Sequence, residues 1–440
     1  MSAGSAAPAV AAAVTARGAA AVRGAARAAP PTRGAQSLNR SRAGAQSGAG
    51  RGRPGLRGRL RRVLRAVGLG QVLCWQVAAA ATLAVIGHPA PVEIAVAAVA
   101  AAVVVATAVR VRGRWVYEWA LRAVRFGLRR RHRPAAVSPD DPADKLLGLV
   151  AQHTVVEAVD LDGVPVALIH HPSGVTAVLE PHTPGGPHEV GLTMSSLHLS
   201  SPAQLLPLPD PDAPAFVAQV ITHAARPPVA QIVLGSSPAG RRATPRQRTW
   251  IALQSVRSPE AYLDEDLTKA LLNAVRRLIR RLARDELPTR ALDRDEALAL
   301  LVGLAHLDEP LDGAQPTRVS ETWRAWETGP TTQACFRIGG WEEAGEDARQ
   351  LVLHRLRQVP SLATTVAVAA RRGGRRSAAD VDVVIRIAET SRVRLDNSAD
   401  LLAFAVDSAS GPAGNDPRIR LERLDGDHLA AVAASLPLGG

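Results

Sequence analysis

Two apolar runs dominate the pattern of the chain, Ala66 to Ile86 and Ala90 to Val109, with Gly87, His88, Pro89 and Pro91 at the break between them. Each run is close to the roughly 20 helical residues that cross a hydrocarbon core. No Lys or Arg occurs between Arg65 and Arg110, so the pattern predicts a transmembrane hairpin. Past Arg110 the period changes. Trp115, Trp119 and Phe126 recur at helical spacing among Arg112, Arg114, Tyr117, Arg122 and Arg125, which predicts an amphipathic helix lying at the lipid surface. Further on, Val155 to Leu161 and Val164 to Ile169 flank Asp162-Gly163, a two-residue hairpin signal, and Val175 to Leu179 supplies a third strand. After a Pro-rich stretch, the apolar spacing from Phe216 to Ala224 predicts a helix, and Val229 to Leu234 a buried strand.

Leu263 to Leu287 carries Leu267, Leu271, Val275, Leu278 and Leu282 on one face, with acids at its start and arginines toward its end. Both ends complement the helix dipole, and Pro288 stops the helix. Asp293 and Glu296 stand at the two positions of a capping box that opens a helix reaching about His306. Beyond it the pattern predicts strands at Ser320 to Trp326, Gln333 to Ile338, Leu362 to Ala370, Val381 to Ala388 and Ile419 to Leu424. Helices are expected at Glu346 to Gln358, Ser398 to Val406 and from Asp427. Strand pairs alternating with helices point to an α+β layer structure with antiparallel strand pairs. The expected organisation is a disordered tail over 1–58, a two-helix transmembrane hairpin over 59–110, a basic aromatic juxtamembrane helix over 111–134 and a cytosolic α+β domain over 135–440, dividing into subdomains near 288.

Charge sharpens this division. Residues 1–133 hold 22 Arg, no Lys and two acids, a net +20 in a chain whose total is +13, so the remaining 307 residues carry −7. The basic part brackets apolar helices, which makes anionic lipid the nearer polyanion and argues against nucleic acid. Cation excess on both flanks of the hairpin places both termini on the cytoplasmic side of a bacterial cell membrane. Inside the hairpin Ala78, Ala98 and Ala102 are small residues suited to close helix contact, and Glu93 is the one acid of the spans. Cys335 is the single thiol of the soluble part, which excludes an internal disulfide there.

Candidate chemistry is sparse. No phosphate-binding loop, dinucleotide fingerprint, nucleophile elbow or H-E-x-x-H sequence occurs. His170 and His171 are adjacent on an expected strand and face opposite ways, while His182 and His188 lie in a Pro/Gly loop. No metal site, catalytic set or cofactor is expected. Asp160-Leu161-Asp162 and Asp380-Val381-Asp382 imitate the carboxylate pairs of nucleotide-sugar enzymes, which leaves a membrane-tethered glycosyltransferase-like enzyme as one alternative. A stand-alone lipid-surface regulator is another.

Several stretches follow one another along the chain: the two-span anchor, Gly113-Arg114-Trp115-Val116-Tyr117, Trp323-Arg324-Ala325-Trp326, Ala334-Cys335-Phe336-Arg337, Gly340-Trp341, Arg423-Leu424-Asp425-Gly426-Asp427-His428 and Leu436 to Gly440. Taken in that order, they resemble the EccE component of actinobacterial type VII (ESX) secretion systems. The resemblance implies a non-catalytic membrane subunit that associates with EccB-, EccC- and EccD-type components, EccC being an FtsK/SpoIIIE-like ATPase that drives export of small WXG100-type substrates. It supplies no catalytic residue.

Overall fold

The computed structural model describes residues 69–111, 114–129, 132–133, 142–150, 153–182, 201–208, 210, 213–226, 246–259, 261–307, 319–372, 379–409 and 419–438. The expected tail over 1–58 and the expected strand at 229–234 lie outside them.

Two apolar helices come first, α1 (Leu69–Ala84) and α2 (Ala90–Ala108). They are tied at their open end, where Gln71 Nε2 donates to the Thr107 carbonyl at 3.1 Å and Trp75 Nε1 donates to Thr107 Oγ1 at 2.8 Å. At the turn Gly87 has φ +94°, and its N–H donates to the Glu93 carboxylate at 2.8 Å. A two-residue ladder, β1 (Arg110–Val111) with β2 (Arg114–Trp115), leads into α3 (Val116–Leu128).

The rest is α+β with one large antiparallel sheet. Residues 142–291 trace α4 (Pro142–Val150), β4 (Val155–Leu161), β5 (Val164–His171), β6 (Gly174–Pro181), α5 (Pro202–Leu205), β7 (Phe216–Ala225), β8 (Arg246–Val256), α6 (Asp264–Arg284) and β9 (Thr289–Ala291). Residues 294–423 trace α7 (Arg294–Ala305), β10 (Val319–Glu321), β11 (Trp326–Thr328), β12 (Thr331–Gly339), α8 (Glu346–Gln358), β13 (Ala363–Arg372), β14 (Ala379–Glu389), α9 (Arg392–Ala409) and β15 (Arg420–Arg423). A final helix, α10 (His428–Ala434), follows, and β3 (His132–Arg133) pairs with β10.

These two halves have the same plan. In the first, β4 pairs β5, β5 pairs β6, β6 pairs β8, β8 pairs β7 and β9 pairs β6. In the second, β10 pairs β11, β11 pairs β12, β12 pairs β14, β14 pairs β13 and β15 pairs β12. The halves join edge to edge where β7 runs antiparallel to β13, in unbroken register from Ala225↔Ala363 to Val217↔Arg371. That seam turns two sheets into one and relates the halves by an approximate two-fold axis near Ile221↔Ala367.

Layering follows from strand alternation. On one face Ile169, Val178, Ile221, Trp250, Cys335 and Ala367 pack with Leu146 of α4, Leu301 of α7 and Val432 of α10. The other face is covered separately in each half. There Leu271, Val275 and Leu278 of α6 bury against Leu179 and Leu253, and Val352, Leu356 and Leu402 of α8 and α9 bury against Phe336 and Ile385.

Most expected elements stand where the pattern puts them. The Asp162-Gly163 turn has positive φ at both residues (57° and 87°), and the Asp293/Glu296 capping box is complete in both directions. Two expectations need correction. Phe216 to Ala224 is strand β7, not a helix: Val217, Ala218, Gln219, Val220 and Ile221 are consecutively buried because the central strand is covered on both faces, which erases alternation. Ser320 to Trp326 is two strands, since the Thr322 N–H donates to the Ala325 carbonyl at 2.8 Å in a tight turn between them.

Candidate functional site

α3 links the apolar hairpin to the domain, and its two faces differ. At about 100° per residue, Trp119, Arg122, Phe126 and Arg129 share one side. This side docks. The Phe126 ring meets Trp323 edge-on at 5.4 Å, and Trp119 lies against the same indole at 6.2 Å. Arg122 Nη1 donates to the Asp425 carbonyl at 3.4 Å, and Arg129 Nη2 donates to Asp427 Oδ1 at 3.0 Å. Burial holds the Arg122 guanidinium below its ordinary range.

The receptor is built from segments far apart in sequence. The N–H of Gly426 donates to the Trp323 carbonyl at 2.7 Å, and a Cβ added at Gly426 would lie 2.5 Å from the Trp323 ring. With φ at +73°, glycine is required there both for backbone and for space. Arg423 Nη2 donates to the Arg324 carbonyl at 2.7 Å and Nη1 to Asp396 Oδ1 at 3.0 Å. The Leu424 N–H donates to the Cys335 carbonyl at 2.9 Å, and the Cys335 N–H donates to His428 Nδ1 at 3.4 Å. Glu321 accepts the Leu429 N–H at 3.1 Å, and burial raises its carboxyl above the usual range. The stretches Trp323 to Trp326, Ala334 to Arg337 and Arg423 to His428 thus converge on one spot, the seat of α3.

Of the residues expected at the lipid surface, Trp119 and Phe126 belong to this docked side, Phe126 being buried. Trp115 is partly covered, Tyr117 is exposed, and the Arg112 and Arg114 side chains lie outside the described residues. What the aromatic pattern missed is the opposite side. Tyr117, Leu121, Val124 and Leu128 fall within a roughly 60° arc and are 39%, 50%, 57% and 83% exposed. Their i, i+4, i+7, i+11 spacing is present in the sequence, beside the larger aromatics of the other stripe.

In the hairpin, Ala78 is buried, whereas Ala98 and Ala102 are exposed; the partly covered row of α2 is Val96, Ala100 and Val103, ending at buried Thr107. Glu93 sits at the turn as an acceptor for backbone.

The remaining candidates for chemistry are held in structural roles. Asp162 takes a two-pronged bond from Arg276 (2.8 and 2.9 Å), which lowers its carboxyl, and Asp160 accepts the Gly163 N–H at 3.0 Å. Asp380 pairs with Arg371 at 3.2 Å and Asp382 with Arg337 at 3.1 Å. His171 lies between Thr176 Oγ1 (2.9 Å) and Ser173 Oγ (2.8 Å). Burial pushes the Cys335 thiol up to about 12, so it stays protonated. Among the described residues no group of three or more His, Cys, Asp or Glu is placed to hold a metal.

The fold therefore defines an α+β domain of two halves with the same strand plan, joined to an apolar helical hairpin through a clasped helix. Residues 243–338 match the family described as "Putative type VII ESX secretion system translocon, EccE", so the resemblance to EccE holds over this segment, which runs from β8 through β12. No curated protein matches the chain. Among solved structures, similarity is found to the one titled "Crystal structure of glycopeptide hexose oxidase DBV29 complexed with teicoplanin", at 10% identity and a TM-score of 0.26. It covers 61% of this chain, which spans 58% of that one, and at such a score it carries no argument. In the described residues one helix, Ala90–Ala108, is long and apolar enough to cross a membrane; Gln71–Ala84 is apolar but shorter.

Proposed function

We propose that the protein is a non-catalytic membrane subunit of a type VII (ESX) secretion complex, anchored by α1 and α2 as two spans with both flanks cytoplasmic. Its α+β domain braces the export machinery from the cytosolic periphery, in association with EccB-, EccC- and EccD-type subunits. The observation that carries this reading is the clasp of α3 by Trp323, Asp425 and Asp427, which fixes a folded domain to an apolar hairpin. The match of residues 243–338 supports the secretion assignment. Exposed apolar side chains along both hairpin helices, among them Leu73, Val77, Leu83, Ile94 and Val99, suit contact with lipid or neighbouring spans.

The test is native electrophoresis of the tagged protein gently solubilised from its own membranes, with mass spectrometry of comigrating chains. A very large band containing an FtsK/SpoIIIE-like ATPase is expected. A monomer, under conditions where the ATPase complex survives, would overturn the reading and favour the stand-alone lipid-surface regulator.

A further inference from the structure

We infer that the stripe Tyr117, Leu121, Val124 and Leu128 of α3 lies in the headgroup–acyl boundary of the bilayer, so that α3 is a two-sided clamp with one side in lipid and the other on the domain. The inference rests on the membrane reading of the hairpin and adds to it a defined lipid-facing surface and a fixed domain orientation.

Geometry carries the argument. The stripe lies nearly opposite the docked side of the helix, and its four large apolar residues are uncovered while Phe126 is buried and Trp119 partly so. A helix lying on lipid alone would need a single apolar face; here large apolar side chains stand on both sides, Trp119 and Phe126 among arginines on the docked one, and the domain uses only that side. The stripe is continuous with the hairpin. The Val116 N–H donates to the Val109 carbonyl at 3.1 Å, so α3 begins one ladder turn from the end of α2. A helix of 13 residues is roughly 20 Å long, and starting at the mouth of a span it cannot leave the interface without carrying the docked domain with it. Residues 110–133 contain nine arginines and one acid, the composition of a segment held against anionic headgroups. A partner helix would bury the stripe equally well, but nothing in that charge pattern calls for one.

Cysteine-directed nitroxide labelling of the full chain tests this. In a Cys74→Ser background, with buried Cys335 left in place, labels are introduced singly at Leu121→Cys, Val124→Cys, Val99→Cys and Asp266→Cys, and the protein is reconstituted in phosphatidylcholine/phosphatidylglycerol vesicles. Collision with oxygen and with a water-soluble nickel chelate is then measured. The labels at 121 and 124 should collide severalfold more with oxygen relative to nickel than the label at exposed Asp266, and should sit shallower than the label at 99. If 121 and 124 behave like 266 while 99 is in lipid, the inference falls and the membrane reading stands. Shielding of 121 and 124 from both reagents would mean a protein partner covers the stripe, and also overturns it. A label at 99 outside lipid would overturn the membrane reading itself.

Discussion

The two halves of the domain follow one path with different side chains, and that difference locates the work. All the buried charged side chains among the described residues of the domain, Glu321, Arg386, Glu389 and Asp425, lie in the second half. The first half buries only neutral polar groups such as Thr176, Gln219, Gln254 and His171. Arg386 shows how far the contrast goes: it is fully enclosed, donating to Gln333 Oε1 at 3.0 Å and to the Leu304 carbonyl at 2.6 Å near the end of α7. Burial lowers its guanidinium to about 10. Topology alone would let either half receive α3. Only the second has the indole, the glycine turn and the carboxylates that do so, which teaches that the shared topology supplies a frame and the side chains decide where the seat lies.

The largest expected effect in this comparison comes from the turn. Gly426→Val combines a positive φ with a clash on Trp323 and should destabilise the domain by about 3 kcal/mol or more. A glycine of the first half at a different place in the plan, Gly163 in the β4–β5 turn, also has positive φ but open space around a new Cβ, so Gly163→Ala should cost about 1 kcal/mol of backbone strain alone. Denaturant unfolding of both variants checks the ratio; equal costs would mean that the Trp323 contact contributes nothing.

Acid titration comes next, because burial keeps histidines neutral in both halves, His171 and His223 in the first and His306 and His428 in the second. Burial lowers His171 to about 4 and His428 to about 3. The unfolded chain binds these protons more readily, so their contribution is complete above about pH 6.5 and is lost progressively as pH falls from there, the loss ending once pH has passed the folded values of about 4 and 3. Between pH 7 and 5 each should remove about 2 kcal/mol. His171→Gln or His428→Gln should each flatten the stability profile over that window, and an unchanged slope in both would refute the assignment.

A smaller effect is expected at the junction between halves. Asp293→Ala opens the capping box of α7 and should cost about 1 kcal/mol, read as a shift in the urea midpoint. Smallest is the Arg129–Asp427 pair, whose partners are both over one-third exposed. A double-mutant cycle should give below about 1 kcal/mol, much less than Trp323→Ala, if aromatic packing dominates the clasp.

Legibility from sequence tracked the same physics. The helices α6, α7 and α8 were readable because one face of each meets solvent, so apolar period, caps and end charges survive in the pattern. β7 was not: Val217, Val220, Ile221 and Ala224 match helical spacing as well as a strand covered on both sides does. The seam could not be read either, since pairing across more than a hundred residues leaves no local signal. For the site, the aromatic segment after the hairpin and the stretches at 323–326 and 423–428 were visible as separate pieces. Their convergence, and the turning of Trp119 and Phe126 toward protein, depend on tertiary placement alone.

The clasp also imposes an order in time. Arg122 meets Asp425 across 303 residues and Arg129 meets Asp427 across 298. At the ~5–20 residues per second of synthesis, α3 waits roughly 15–60 s for its seat. During that interval Trp119 and Phe126 lack the Trp323 indole that covers them in the finished fold, so the helix is made early and seated last.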